Sequence, residues 1–191
     1  MISKTIKENK DKLQKAFHNT SDLVAYEFET NSGIKMMASY MEGFIDKDIF
    51  DNNILKPLIV DLKYVEDIKK TIYSSKLEEE YTMNKIIDGL PNGRVAVFLE
   101  GSPICYTIEL SKWDKRTVEQ PGSESVIRGP KEGFIEDIAV NKVLLRRILR
   151  NNNLVYEDYI LGQQTKTNVS IAYIKGIVDE DVLNEVRKRL N

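Results

Sequence analysis

The sequence predicts an α+β fold: two small α/β lobes with mixed or antiparallel sheets, built on an internal helix–strand–strand–helix repeat and joined by a linker. Three observations carry this reading. Two distant segments match, Tyr40 to Ile49 and Tyr173 to Val182, sharing Tyr, Gly and two Asp positions. Around each, the apolar period changes from helical to alternating and back. Between them, a polar stretch rich in Pro, Gly and Ser interrupts the pattern from about Trp113 to Pro130.

The first copy of the repeat opens with Ile2, Ile6, Leu13 and Phe17 near one helical face. Val24, Tyr26 and Phe28 then alternate, as expected of a strand with one buried face, and Asn31-Ser32-Gly33 supplies turn chemistry. The second copy opens with Val140, Val143, Leu144, Ile148 and Leu149 as its helical face. It continues with Leu154-Val155, a turn near Leu161 to Gln164, and the alternation Val169, Ile171, Tyr173. In both copies Gly43 and Gly176 let the backbone leave the strand. Asp46 and Asp179 then cap the next helix, with Asp48 and Asp181 in its first turn, where the helix dipole favours negative charge. Asp22-Leu23-Val24 in the first copy stands where Asn153-Leu154-Val155 stands in the second.

Between the copies, Leu62, Val65, Ile68 and Ile72 predict one helix, and Met83, Ile86, Ile87 and Leu90 another, ended by Gly89 to Gly93 with Pro91. Glu78-Glu79-Glu80 reads as a solvated helix face, since clustered like charges favour water. Val95 to Leu99 is an unbroken apolar run, the mark of a central strand covered on both faces, and Gly101-Ser102-Pro103 turns it into Ile104 to Leu110. The expected boundaries are a first lobe over 1–112, a linker over 113–130 and a second lobe over 131–191.

Composition narrows the function. Apolar residues make up 41% and charged residues 30% of the 191, with 28 basic against 30 acidic side chains. That near-neutral balance lacks the basic stripe of a nucleic-acid binder. The single cysteine, Cys105, has no internal partner and sits in the apolar run Ile104-Cys105-Tyr106, where it reads as a small buried hydrophobe. No apolar run approaches the ~20 residues that span a bilayer, and the N-terminus lacks the apolar core of a secretory signal. The chain alone therefore reads as a soluble domain of a reducing compartment.

The residues of an enzyme do not assemble. The one histidine, His18, reads as an exposed helix-end residue, and a strand cysteine with a helix-end histidine lacks the third group of a nucleophilic site. One His and one Cys do not make a zinc site. Pro121-Gly122-Ser123 lacks the lysine and following helix of a phosphate loop. Arg146, Arg147 and Arg150, at i, i+1 and i+4, read as the wet face of their helix. Asn168-Val169-Ser170 is a glycosylation pattern within a strand and carries little weight. No enzyme, cofactor or metal is expected.

Trp113, Arg116, Glu119 and Pro121 precede Arg128-Gly129-Pro130-Lys131-Glu132-Gly133-Phe134; after them come Arg146 and Arg147, Gly162, Thr165-Lys166-Thr167 and Tyr173 to Ile177. This stretch resembles the spore germinant receptor A-subunit family, whose signature is Arg-Gly-Pro-basic-Glu-Gly-Phe. The resemblance implies a cytoplasmic N-terminal domain of a larger protein. It also implies membrane spans outside these residues and a place in the spore inner membrane of a Bacillus-like organism. The implied partners are a transporter-like B subunit, a lipoprotein C subunit and other A subunits. The implied role is to relay nutrient signals and support receptor assembly, the lobes changing orientation about the linker. Arg128 and Glu132 are expected to make charge-assisted bonds across the lobes, and Gly129, Pro130 and Gly133 to fix the backbone path. Lys131, Phe134, Arg146, Arg147 and Lys166 complete the candidate set. The competing reading is that this segment only packs the linker onto the second lobe. A second functional reading is a nutrient cleft between the lobes, for an amino acid or a sugar; a nucleic-acid module is the remote third.

Overall fold

The computed structural model describes residues 1–111 and 133–190. Its larger part is a five-stranded antiparallel sheet with helices on both faces. Helix α1 (Ile6–Ala16) leads into the hairpin β1 (Leu23–Glu29) and β2 (Lys35–Met41); β3 (Leu77–Glu80), β4 (Arg94–Leu99) and β5 (Cys105–Glu109) complete the sheet in the order β1-β2-β4-β5-β3. Each neighbour pair is antiparallel, from Leu23 opposite Met41 to Arg94 opposite Glu109.

The pleat sorts the core into two layers. Met36, Ala38, Tyr40, Val95, Val97, Leu99, Tyr106 and Ile108 point to one face, where Phe50, Ile54, Leu58, Leu62, Ile68 and Ile72 cover them. Met37, Met41, Ala96, Phe98 and Cys105 point to the other, against Ile6 and Leu13 of α1, Phe17 at its C-cap, and Met83 and Ile86 of α5 (Met83–Gly89). The run Val95 to Leu99 is thus buried on both faces, as its composition predicts.

The first covering layer is a broken helical path. Asp46 caps α2 (Lys47–Phe50) by accepting the Ile49 N–H at 3.1 Å. A π-helical turn (Asp51–Leu55) and α3 (Lys56–Val60) follow, then a 3-10 turn (Val65–Asp67) and α4 (Ile68–Thr71). Pro57 has no N–H to offer the carbonyl of Asn53, which instead accepts from Tyr73 N at 3.0 Å and ties the two helical pieces together. The single helix expected over Leu62 to Ile72 is therefore corrected: Leu62, Ile68 and Ile72 are buried, but Val65 is exposed and the path breaks between Val60 and Val65.

Glu78 to Glu80 is likewise not a helix face. It is the edge strand β3, where Glu78 meets Arg94, Glu79 meets Lys69 and the buried Glu80 meets Lys85. Charges along an edge discourage pairing with another chain, which explains three consecutive acids in a strand.

The second copy of the repeat forms its own unit: α6 (Ile138–Ile148), the hairpin β6 (Leu154–Leu161) and β7 (Thr167–Ile174), and α7 (Glu180–Leu190). The hairpin runs from Leu154 opposite Ile174 to Leu161 opposite Thr167. Gly43 and Gly176 have φ of 76° and 89°, the left-handed exit from the strand that glycine permits. Asp179 caps α7 through the N–H groups of Asp181 and Val182, as Asp46 caps α2. The helix–strand–strand–helix expectation holds in both copies. The helical face expected for α6 is corrected: Leu144 is buried, but Ile148 is 71% exposed and Val140 and Leu149 face solvent, while Arg146 is inside. Cys105 is buried and unpaired, its thiol pKa pushed up by burial.

Candidate functional site: a buried clamp between two sheets

The sequence places Thr20, Ser21 and Asp22 just before β1, and α6 crosses directly over them. His18 and Asn19 lie in the left-handed region, with φ of 53° and 56°, and turn the chain from α1 into this segment. Arg146, two turns into α6, is fully buried and aims its guanidinium at Asp22. Nε donates to Asp22 Oδ2 at 2.5 Å and Nη2 to Oδ1 at 2.9 Å, the two-pronged geometry that suits a carboxylate. Two further N–H groups are also used: Nη2 reaches the Leu154 carbonyl at 2.8 Å and Nη1 the Asn151 carbonyl at 3.1 Å. A buried ion pair is tolerated only when its other donors and acceptors are satisfied in this way.

Thr20 completes the clamp. Its hydroxyl donates to Asp22 Oδ1 at 2.6 Å and accepts the Tyr156 N–H at 2.9 Å. Ser21 N donates to the Tyr156 carbonyl at 3.0 Å, so the start of β6 is bonded to the segment entering β1. The Tyr156 ring lies 5.2 Å from both the Arg146 guanidinium and the Lys142 ammonium, and its hydroxyl donates to the Lys142 carbonyl at 2.8 Å. Burial raises the Tyr156 pKa, an effect that the Arg146 charge opposes.

Flanking contacts widen the junction. Lys142 Nζ bonds Ser21 Oγ at 3.1 Å and Asp158 at 2.7 Å. Asn152 donates to the Ala16 carbonyl at 2.9 Å, and His18 Nε2 and Asn153 Oδ1 lie 3.0 Å apart. At Gly43 the units approach so closely that a Cβ would sit 2.4 Å from Val143 Cγ2. Beside this junction opens a cleft of about 410 Å³, with Asp22, Glu42 and Gly43 on one wall and Ile138, Lys142, Asp158 and Ile160 on the other.

Arg146 thus moves from the wet face of its helix to the centre of the molecule. His18 is corrected too: it is half-buried and meets the second unit instead of ending a helix in solvent. Of the other candidates, Arg128, Gly129, Pro130, Lys131 and Glu132 lie outside the described residues. Gly133 is half-buried and Phe134 is 65% exposed. Both precede Ile135, whose backbone N–H and carbonyl are held by the Asn141 side chain. Arg147 is half-buried beside the clamp, and its carbonyl accepts from Arg150 Nε. Lys166 sits in the β6–β7 turn at φ 45°, exposed and away from Arg146. Sequence reasoning missed Asp22, Thr20 and Tyr156. One signal for them existed: Asp22 stands where the second copy has Asn153, an acid added in one copy only.

Among the described residues, no group of three or more His, Cys, Asp or Glu side chains is placed to hold a metal ion, and no helix is long and apolar enough to cross a membrane.

Residues 11–191 match the family described as Bacillus/Clostridium GerA spore germination protein. Among curated relatives, an uncharacterized membrane protein of Bacillus subtilis, YfkQ, is 29% identical over 99% of this chain and 38% of its own length. Spore germination protein GerLA of Bacillus cereus is 30% identical over 79% of this chain and 32% of its own. Spore germination protein KA of Bacillus subtilis is 26% identical over 100% of this chain and 36% of its own length. The chain spans roughly a third of the length of the relatives it matches. The crystal structure of the N-terminal domain of the A subunit of the Bacillus megaterium spore germinant receptor GerK3 superposes with a TM-score of 0.74, at 24% identity, over 99% of this chain and 72% of that one. The chain belongs to the GerA family, and its mixed α/β architecture is that of the GerK3 domain.

Proposed function

We propose that this member of the GerA family acts as the cytoplasmic N-terminal domain of a spore germinant receptor A subunit, relaying nutrient signals and supporting receptor assembly. The full-length protein would sit in the spore inner membrane, with a transporter-like B subunit, a lipoprotein C subunit and other A subunits as its partners. The lobes are taken as residues 1–112 and 131–191 about a linker at 113–130, with Arg128 to Phe134 as a signalling segment. The observation that carries this reading is the buried Arg146–Asp22 clamp at the centre of the junction between the two copies of the repeat. A contact that is fully satisfied in one lobe orientation and broken in another provides two discrete states, which is what a relay requires. Lys166 is assigned no part in the clamp.

The test uses spores carrying the full-length protein with Arg146→Lys, which keeps the charge but loses the fork. Normal protein level with a delayed nutrient response is expected; an unchanged response in a variant that has lost the Asp22 bonds would refute the relay.

The cleft of about 410 Å³ supports a second reading, direct nutrient binding between the lobes. Its volume suits an amino acid or a sugar, and Glu42, Lys142 and Asp158 offer polar contacts beside the apolar Ile138 and Ile160. Calorimetric titration of the purified chain with a panel of amino acids and sugars decides it: saturable heat with a raised melting temperature supports binding here, and none places recognition elsewhere.

A further inference from the structure

Helix α7 is joined to the rest of the fold very differently from α6. Only Leu183 of its eleven residues is buried, at 3% exposure. Among the described residues, the side-chain bonds from α7 to the hairpin strands come from Arg187, and Glu180 pairs with Lys175 directly after β7. Nε donates to Glu157 Oε2 at 2.9 Å, and Nη2 donates to Glu157 Oε1 and to the Tyr173 hydroxyl. Tyr173 in turn donates to Glu157 Oε1 at 2.7 Å and Tyr159 to Oε2 at 3.0 Å, so one carboxylate on β6 gathers Arg187 and both tyrosines. The Glu157 and Arg187 side chains keep 24% and 31% of their exposure, so water reaches the pair.

The helix also carries more apolar surface than its seat accepts. At 100° per residue, Val182, Leu183, Val186 and Leu190 fall within one stripe about 100° wide. Leu183 is seated, Val186 is 37% exposed and Val182 is 60% exposed; Ile177, in the turn before the helix, is 78% exposed. A stripe held at one residue and pinned by two solvent-accessible ion pairs, Arg187–Glu157 and Glu180–Lys175, has few contacts to lose on opening.

We infer that α7 is a latch helix, which releases from the β6–β7 hairpin as a unit while the two sheets and the Arg146 clamp stay closed. The inference goes beyond the relay reading at the clamp: it adds a second moving element, one that opens without any change of lobe orientation. Release breaks the Arg187–Glu157 pair and unseats Leu183; Asp179, bonded to the N-terminal amides of α7, keeps the helix capped while it swings about Gly176.

Amide hydrogen exchange on the intact chain tests it. The amides of Leu183 to Leu190 are expected to exchange at least about a hundredfold faster than those of Val95 to Phe98 in β4. Leu183→Ala should speed α7 exchange a further tenfold or more and, separately, Glu157→Gln about threefold to fivefold, each leaving β4 and α6 unchanged. The latch is overturned if α7 is protected as well as β6 and β7, or if both variants speed α6, β6 and α7 together. The relay fails separately: normal nutrient responses in spores carrying full-length Leu183→Ala, with α7 shown to open more, would leave the latch standing and remove its signalling role.

Discussion

Two arginine–carboxylate forks among the described residues differ mainly in water. Arg146 and Asp22 keep 0% and 5% of their side-chain exposure, whereas Arg187 and Glu157 keep 31% and 24%. Both join elements of the second repeat to something outside their own helix. The first is enclosed by Tyr156, Thr20 and two backbone carbonyls; the second opens to solvent beside Tyr159 and Tyr173. A buried pair contributes little net stability over an apolar substitute, yet breaking it strands a charge without solvent. A solvated pair contributes little and is lost at little cost. The same chemistry thus specifies an arrangement at one place and permits release at the other.

The largest effect is expected where the contrast is sharpest. Arg146→Ala leaves Asp22 buried without its partner and should cost about 3–5 kcal/mol of unfolding free energy, measured by urea titration. Gly43→Ala should come next, at about 1–3 kcal/mol, because the residue needs φ of 76° and its Cβ would meet Val143 at 2.4 Å. Glu157→Gln should cost about 1 kcal/mol or less in the same titration, since water screens the pair it breaks.

Acid should separate the forks by a different route. Arg187 holds the Glu157 pKa down at about 2, with Tyr173 and Tyr159 adding to the effect and burial opposing it. A carboxylate with a depressed folded pKa contributes stability above its unfolded value of about 4.3, and that contribution is lost as pH falls through about 2. The stability difference between the parent chain and Glu157→Gln should therefore be flat from pH 7 to 5 and shrink between about pH 4.3 and 2; a constant difference over that range would mean the pair does not form. The smallest effect belongs to the acidic edge: Glu78→Gln, which loses a largely exposed partner of Arg94, should shift unfolding by less than about 0.5 kcal/mol.

Much of this fold was legible in the residues. The repeat showed itself through Gly43 and Gly176, Asp46 and Asp179, because a left-handed exit and a helix cap each demand a particular residue type. Val95 to Leu99 announced a central strand because both its faces needed apolar cover. The failures share a cause: each residue's environment is set by an element far away in sequence. Glu78 to Glu80 has the composition of a wet helix and becomes a strand because β5 lies beside it. Arg146 belongs with Arg147 and Arg150 by spacing alone, yet the loop from Thr20 to Asp22, more than 120 positions earlier, supplies the acid that takes it inside. Helical periodicity assigns one buried face, and α6 has a second contact on the side that periodicity gave to solvent. Within the signature Arg128 to Phe134, Arg128 to Glu132 fall outside the described residues and Phe134 is exposed; among the described residues, the site built from structure and the site proposed from resemblance share Arg146.

Arg146 and Asp22 act as one unit joining the two sheets. A double-mutant cycle with Arg146→Met and Asp22→Leu measures this directly by urea unfolding. The double variant should lose far less than the sum of the single losses, with a coupling energy of about 2 kcal/mol or more. Additivity to within about 0.5 kcal/mol would contradict it.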